Sequence, residues 1–234
     1  FRILSSKAIA VNFPFDSTLK TRDILYVEGK TSDNETLHLF VNHWSSRWGG
    51  EKESEHKRLY CAVNLRKEVD MILNQDEQAN IIIMGDCNDE PKNRSVFEML
   101  KANNKRKNTR DRELYNLMYD AHNQRNEGSY NYQGSWNMLD QIIVSQPVIT
   151  NHEGWHCGYD DGKIFKLLKL LSESKLTVND HELHGHYGKE IHDGDDPVAY
   201  QAAALIHVQK RFFIFFRFHA RIDRLRLNSI RWRF

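Results

Sequence analysis

The chain has 234 residues, 40% hydrophobic, 28% charged and 11% aromatic, the profile of a water-soluble globular protein of one or two domains. Its longest apolar run, Phe212 to Phe216, falls far short of the ~20 residues that span a bilayer. No basic leader precedes an apolar stretch, so neither a membrane span nor a targeting segment is expected. The net charge of +1 hides 8 Lys/Arg against one Asp in residues 205–234, leaving 25 basic and 31 acidic residues in the first 204. A body of that balance does not advertise non-specific nucleic-acid binding.

In chain order, Phe1 to Phe13 and Asp23 to Val27 are β-like, separated by a polar turn around Pro14. Thr36 to Asn42 alternates as a third strand. Glu53 to Asn74 places Leu59, Ala62, Val63, Val69, Ile72 and Leu73 at the spacing of one helix face. Ile81 to Met84 is a short apolar run, as expected of a strand buried on both faces. Ser95 to Ala102 and Leu114 to His122 read as short helices, and Ser129 to Tyr132 and Leu139 to Ser145 as strands. A strand–helix–strand unit of this kind presents chemistry at the C-terminal ends of its strands. The three cysteines, Cys61, Cys87 and Cys157, are too few and scattered for a disulfide framework and read as free thiols.

After Lys163 the character changes. Phe165 to Leu171 is an apolar, helix-like stretch, and His181, His184, His186 and His192 follow in a polar region. The second His of His181-Glu182-Leu183-His184 comes one place too early to share a helix face at i, i+4, so the segment reads as a solvated loop and not a zinc-protease site. The last thirty residues alternate Arg with bulky apolar side chains. Two regions are therefore expected: residues 1–162, and an atypical segment, 163–234, His-rich and then basic and aromatic.

Four short constellations carry chemistry. The run Ile83-Met84-Gly85-Asp86-Cys87-Asn88-Asp89-Glu90-Pro91 ends a strand with Asp86 and Asn88 two apart, so that both side chains can leave the strand end in the same direction. Asp86 could accept a proton from water and Asn88 could donate to a phosphate oxygen; alone, the run reads first as a turn rich in Asp and Asn. Val41-Asn42-His43-Trp44-Ser45-Ser46-Arg47 ends another strand with a His able to donate to a charged oxygen and an Arg offering a bidentate fork. Tyr130-Asn131-Tyr132-Gln133-Gly134-Ser135-Trp136-Asn137-Met138-Leu139-Asp140-Gln141-Ile142 places Asp140 at a strand entrance, where it could orient an imidazole. Thr21-Arg22-Asp23 precedes a strand and is the weakest of the four.

Together and in this order, these runs resemble the endonuclease/exonuclease/phosphatase superfamily, the DNase I-like enzymes, over roughly residues 1–145. The match is with a bacterial branch carrying Asn-His-Trp-x-Ser-Arg, Gly-Asp-x-Asn-Asp-x-Pro and Tyr-x-Tyr-x-Gly-x-Trp-x-x-Leu-Asp-Gln-Ile. The resemblance implies an α/β (α+β) fold, a sandwich of two β-sheets flanked by helices, incomplete here. It also implies hydrolysis of phosphate esters, nucleic acid among them, assisted by Mg²⁺ or Mn²⁺. It casts His43 as a phosphate contact, Asp86 as the residue that orients the attacking water and Asn88 as its phosphate-binding companion. Asp140 becomes the partner of a late catalytic His, and Arg22 and Arg47 become holders of the substrate phosphate. Against that pattern, an opening strand with an Asn and a metal-ligating Glu is expected to be absent, as is the closing Ser-Asp-His-x-Pro. The nearest closing candidate is Asn179-Asp180-His181. The same residues leave open a phosphate-binding remnant without turnover, or an inert fragment.

Overall fold

The computed structural model describes residues 1–107, 110, 112–151, 154–164 and 214–215. Seven strands form one mixed sheet in the order β1-β2-β3-β4-β9-β6-β5. Its centre is built from β3 (Thr36–His43), β4 (Asn80–Asp86) and β9 (Asp140–Val144). To one side lie β2 (Ile24–Lys30) and the exposed edge strand β1 (Arg2–Ile9), and to the other β6 (Leu114–Asn116) and β5 (Ala102–Asn103). Two ribbons stand apart, β7 (Tyr130–Tyr132) with β8 (Ser135–Asn137), and β10 (Lys163–Ile164) with β11 (Ile214–Phe215). With its flanking helices the architecture is mixed α/β, as expected; among the described residues, one large sheet of the expected pair is formed. None of the helices among them is long and apolar enough to cross a membrane.

The parallel pairing of β3 with β4 requires a crossover. Helix α1 (Glu51–Gln75) supplies it, burying Cys61, Ala62, Leu65, Val69 and Leu73 along one face. Glu51 and Glu53 sit in its first turn, where the helix dipole favours negative charge. That face packs on Phe40, Ile81, Ile83 and Ile143 of the sheet. The opposite face carries Leu37, Ile82, Ile142 and Val144 against helices α2 (Tyr119–Arg125) and α3 (Gln146–Thr150). Ile81, Ile82 and Ile83 are at most 2% exposed, which is why β4 reads as an unbroken apolar run. Burying each contributes about 1.5–3 kcal/mol.

Two expected helices are corrected. Leu114 to His122 divides into strand β6 and helix α2: Tyr115 and Asn116 pair with Val144 and Ile143, and a strand buried on both faces shows no alternation to distinguish it from a helix. Ser95 to Ala102 becomes a π-helical turn, Ser95–Met99, ended by Lys101 at φ 59° before β5 begins. The helix expected over Phe165 to Leu171, the histidine-rich segment and nearly all of the basic tail lie outside the described residues.

All three cysteines are free and buried. Burial pushes the Cys61 thiol up to about 11 and the Cys157 thiol to about 12, and raises Cys87 well above its ordinary value. Unfolded thiols ionise near ~8.5. The stability contributed by keeping them neutral is therefore complete below that pH. It is lost as pH rises, through about 11 for Cys61 and about 12 for Cys157, by up to ~1.4 kcal/mol per pH unit per thiol. The urea midpoint should accordingly fall between pH 8 and pH 10, and Ellman's reagent should label the thiols at pH 8 only in denaturant. A flat midpoint with rapid native labelling would contradict this burial.

Candidate active site at the ends of three adjacent strands

Strand register brings three of the sequence candidates into one row. His43 is the parallel partner of Asp86, and Asp86 is the antiparallel partner of Asp140. Paired residues in neighbouring strands project to the same side, and counting back in twos puts all three on the face of Leu37, Ile82 and Ile142. His43 Nε2 lies 3.8 Å from Asp86 Oδ2, with both side chains about one-third exposed, so imidazole and carboxylate meet at the rim of the core.

The turn after β4 departs from the sequence expectation. Asp86 and Asn88 do not leave the strand side by side, because the chain turns at Cys87, whose N–H donates to the Leu139 carbonyl. Asn88 adopts φ 49°, and its backbone N–H donates to Asp86 Oδ1 at 2.8 Å, closing an Asx turn that fixes the carboxylate. Its side-chain Nδ2 donates to the Trp44 carbonyl at 2.9 Å, so the amide expected on a phosphate oxygen binds the loop after β3. Trp44 is buried, its N–H donating to the Asp86 carbonyl and its indole to Asn42 Oδ1.

Arg47 also turns inward. Its Nε donates to the Asn88 carbonyl at 2.7 Å, Nη1 lies 3.1 Å from Glu51 Oε2 and Nη2 3.6 Å from Asp89 Oδ1. The fork expected on a phosphate is committed to the Asn88–Asp89 turn and helix α1. Arg22 is exposed; its neighbour Thr21 accepts a hydrogen bond from Ser45, which ties that segment to the loop of His43. Asp140 is held at its backbone, its N–H and that of Leu139 donating to the buried Ser129 Oγ. The nearest candidate for the closing motif that carries the late histidine, Asp180-His181, lies outside the described residues.

Beneath this row sit two residues that sequence reading passed over. Asp89 and Arg58 are fully buried, with Arg58 Nε 2.7 Å from Asp89 Oδ1. Ser95 donates to the other oxygen of Asp89, and Gln141 Nε2 donates to its carbonyl. Arg58 further donates to the carbonyls of Ser46 and Glu51. Arg58 Nε, Arg47 Nη2 and Asp89 Oδ1 lack a hydrogen bond of good geometry, so charge holds the three together. The signal was present: Arg58 stands three and four residues before Cys61 and Ala62, on the core face of a helix, where a guanidinium needs a buried counter-charge.

The chain belongs to the Endonuclease/Exonuclease/phosphatase family, whose model matches residues 1–196. Members of this superfamily are typically metal-dependent hydrolases of phosphoesters. The fold is similar to that of the human Nocturnin catalytic domain with bound sulfate anion, at 18% identity and TM-score 0.44, covering 62% of this chain and 48% of that one. It is also similar to truncated Caenorhabditis elegans TDP2, at 17% identity and TM-score 0.45, covering 70% and 56%. A third similar structure is D. rerio TDP2 complexed with single strand DNA product, at 18% identity and TM-score 0.39, covering 62% and 53%. The chain thus spans about half the length of these solved structures. No curated protein matches it. Among the described residues no group of three or more His, Cys, Asp or Glu converges to hold a metal, so these residues do not on their own fit the Mg²⁺ or Mn²⁺ that the resemblance implies.

Proposed function

We propose that the chain hydrolyses phosphate esters at the C-terminal ends of β3 and β4. The observation that carries this reading is the row His43–Asp86–Asp140, in register across three strands, with the Asp86 carboxylate fixed by the Asn88 N–H. Water attacks phosphorus as Asp86 takes its proton; the ester P–O bond breaks, and the leaving oxygen is protonated from His43 or solvent. A protonated His43 also donates to a non-bridging oxygen, where charge builds up in the transition state. Arg22, exposed beside this loop, supplies the mobile cation for the substrate phosphate.

The test is hydrolysis of bis(4-nitrophenyl) phosphate with Mg²⁺ or Mn²⁺ supplied. Asp86→Ala should lower kcat by at least ~100-fold, the usual span for a lost general base. Unchanged turnover in that variant overturns the assignment, and phosphate binding without turnover in the parent protein would replace hydrolysis with recognition.

The proposed substrate is a nucleic-acid phosphodiester. The β7–β8 hairpin, rooted beside Asp140 through Ser129, exposes Tyr130, Tyr132 and Trp136, and the two tyrosine rings stack at 6.4 Å and 15°. Unpaired bases stack on such faces with ~1–3 kcal/mol each. Tyr132→Ala should therefore raise KM for a single-stranded oligonucleotide by roughly 5- to 160-fold and leave bis(4-nitrophenyl) phosphate hydrolysis unchanged. An equal effect on both substrates would remove the hairpin from substrate recognition.

A further inference from the structure

We propose that Arg47 and Asp89 are positioning residues that set the direction of the Asp86 carboxylate through the backbone of Asn88. The connection is continuous in space. Arg58 holds Asp89 at 2.7 Å in the core, and Asp89 holds the Nη2 end of Arg47 at 3.6 Å. Arg47 Nε then donates to the Asn88 carbonyl at 2.7 Å, and the N–H of that same residue donates to Asp86 Oδ1 at 2.8 Å. The other oxygen of Asp86, Oδ2, is the one 3.8 Å from His43.

This chain of contacts has a specific consequence. Strand pairing fixes the backbone of Asp86 but leaves its side-chain torsions open. The Asn88 N–H restricts that freedom, and the residue that carries it is held in the left-handed region, at φ 49°. Among residues with a side chain, Asn is one of the few that visit this region routinely. Two contacts hold it there, the Nδ2 bond to Trp44 and the Arg47 bond to the Asn88 carbonyl. Arg47 suits the second because its rigid fork spans the carbonyl and the Asp89 carboxylate at once, which a lysine point charge cannot do. Arg47 is therefore drawn away from the substrate and acts on the reaction through the angle of Asp86. The idea rests on the hydrolytic reading above only for its catalytic consequence; the geometry stands without it.

Arg47→Ala and Arg47→Lys suit the test, since this side chain is 21% exposed and neither variant strips the core of its counter-charge. With bis(4-nitrophenyl) phosphate, kcat should fall by about 10- to 100-fold, the usual effect of small misplacement, with KM within about twofold. A phosphate-holding Arg47 would instead raise KM and spare kcat, which overturns the proposal. The second readout needs no turnover. In ¹⁵N–¹H spectra the Asn88 amide proton, shifted downfield by the carboxylate, should move upfield in Arg47→Ala and in Asp86→Asn. The double variant should move no further than either single one. Additive shifts, or an Asn88 amide unmoved by Arg47→Ala, overturn the connection. Were the parent protein to hydrolyse nothing, the hydrolytic reading would fall while the amide shift still decided this one.

Discussion

Gly85→Ala should remove most of the folded protein. Gly85 sits in β4 at φ 124°, a region that residues with a side chain rarely adopt, and it pairs with Asn42 of β3. A Cβ built there would lie 2.0 Å from the Asn42 carbonyl oxygen and 3.0 Å from the Asn42 carbonyl carbon and nitrogen. These are backbone atoms of a central strand, so relief demands that β3 and β4 separate at the very pair that precedes His43 and Asp86. Strain in the backbone and overpacking each cost ~1–3 kcal/mol, giving roughly 2–6 kcal/mol together. That is a large share of the ~5–15 kcal/mol that holds a domain folded. The measurement is the urea midpoint, or the soluble yield where the variant does not accumulate. A soluble Gly85→Ala protein within about 1 kcal/mol of its parent would show that the strands are not this close. The glycine of the Gly-Asp pair is thus there for the approach of two strands, and the aspartate owes its place beside His43 to it.

That closeness marks the boundary of what the sequence could tell. Apolar runs at Thr36 to Asn42 and Ile81 to Met84, with a helical pattern between them, announce two strands joined by a crossover, and β3, α1 and β4 are found there. Placing His43 and Asp86 at the ends of those strands needs no more than chain order. Their side-by-side register, and that of Asp140, does not follow from order, because pairing is set by packing on both faces of the sheet. The contacts of Arg47 and Asn88 were illegible for a related reason. A guanidinium in a glycine-containing loop reads as available to a ligand, yet its partner Asp89 comes from the turn after β4, more than forty residues along the chain. Asn88 reads as a side chain leaving a strand, yet a left-handed backbone redirects it to Trp44. Asp89 stands in the Asn-Asp-x-Pro turn, where nothing in the sequence gives it a task. Only its complete burial beside Arg58 supplies one.

Asp89→Ala should destabilise the protein by about 3–5 kcal/mol, the usual cost of leaving one member of a buried ion pair uncompensated. Arg58 would be the stranded member: its guanidinium has no exposure to water, and Asp89 is the carboxylate beside its Nε. Yet the pair need not be a net source of stability. Burial pushes the Asp89 carboxyl up from its ordinary range, against the Ser95 hydroxyl and the Arg58 and Arg47 charges that pull it down. The desolvation of this carboxylate therefore outweighs its pairing, and the charge is carried at a cost relative to water. Because the folded value is raised, that contribution weakens as pH rises past the unfolded carboxyl range, the reverse of an exposed salt bridge. The double replacement Arg58→Met with Asp89→Leu should then be much less damaging than the sum of the single changes, since neither member of the pair is left stranded in the core. Urea unfolding of the parent, both single variants and the double variant gives the coupling directly. Strict additivity, or an Asp89→Ala protein as stable as its parent, would show that the two groups do not meet. Stability near the parent in the double variant, together with lost kcat, is the outcome that fits a pair retained to aim Asp86.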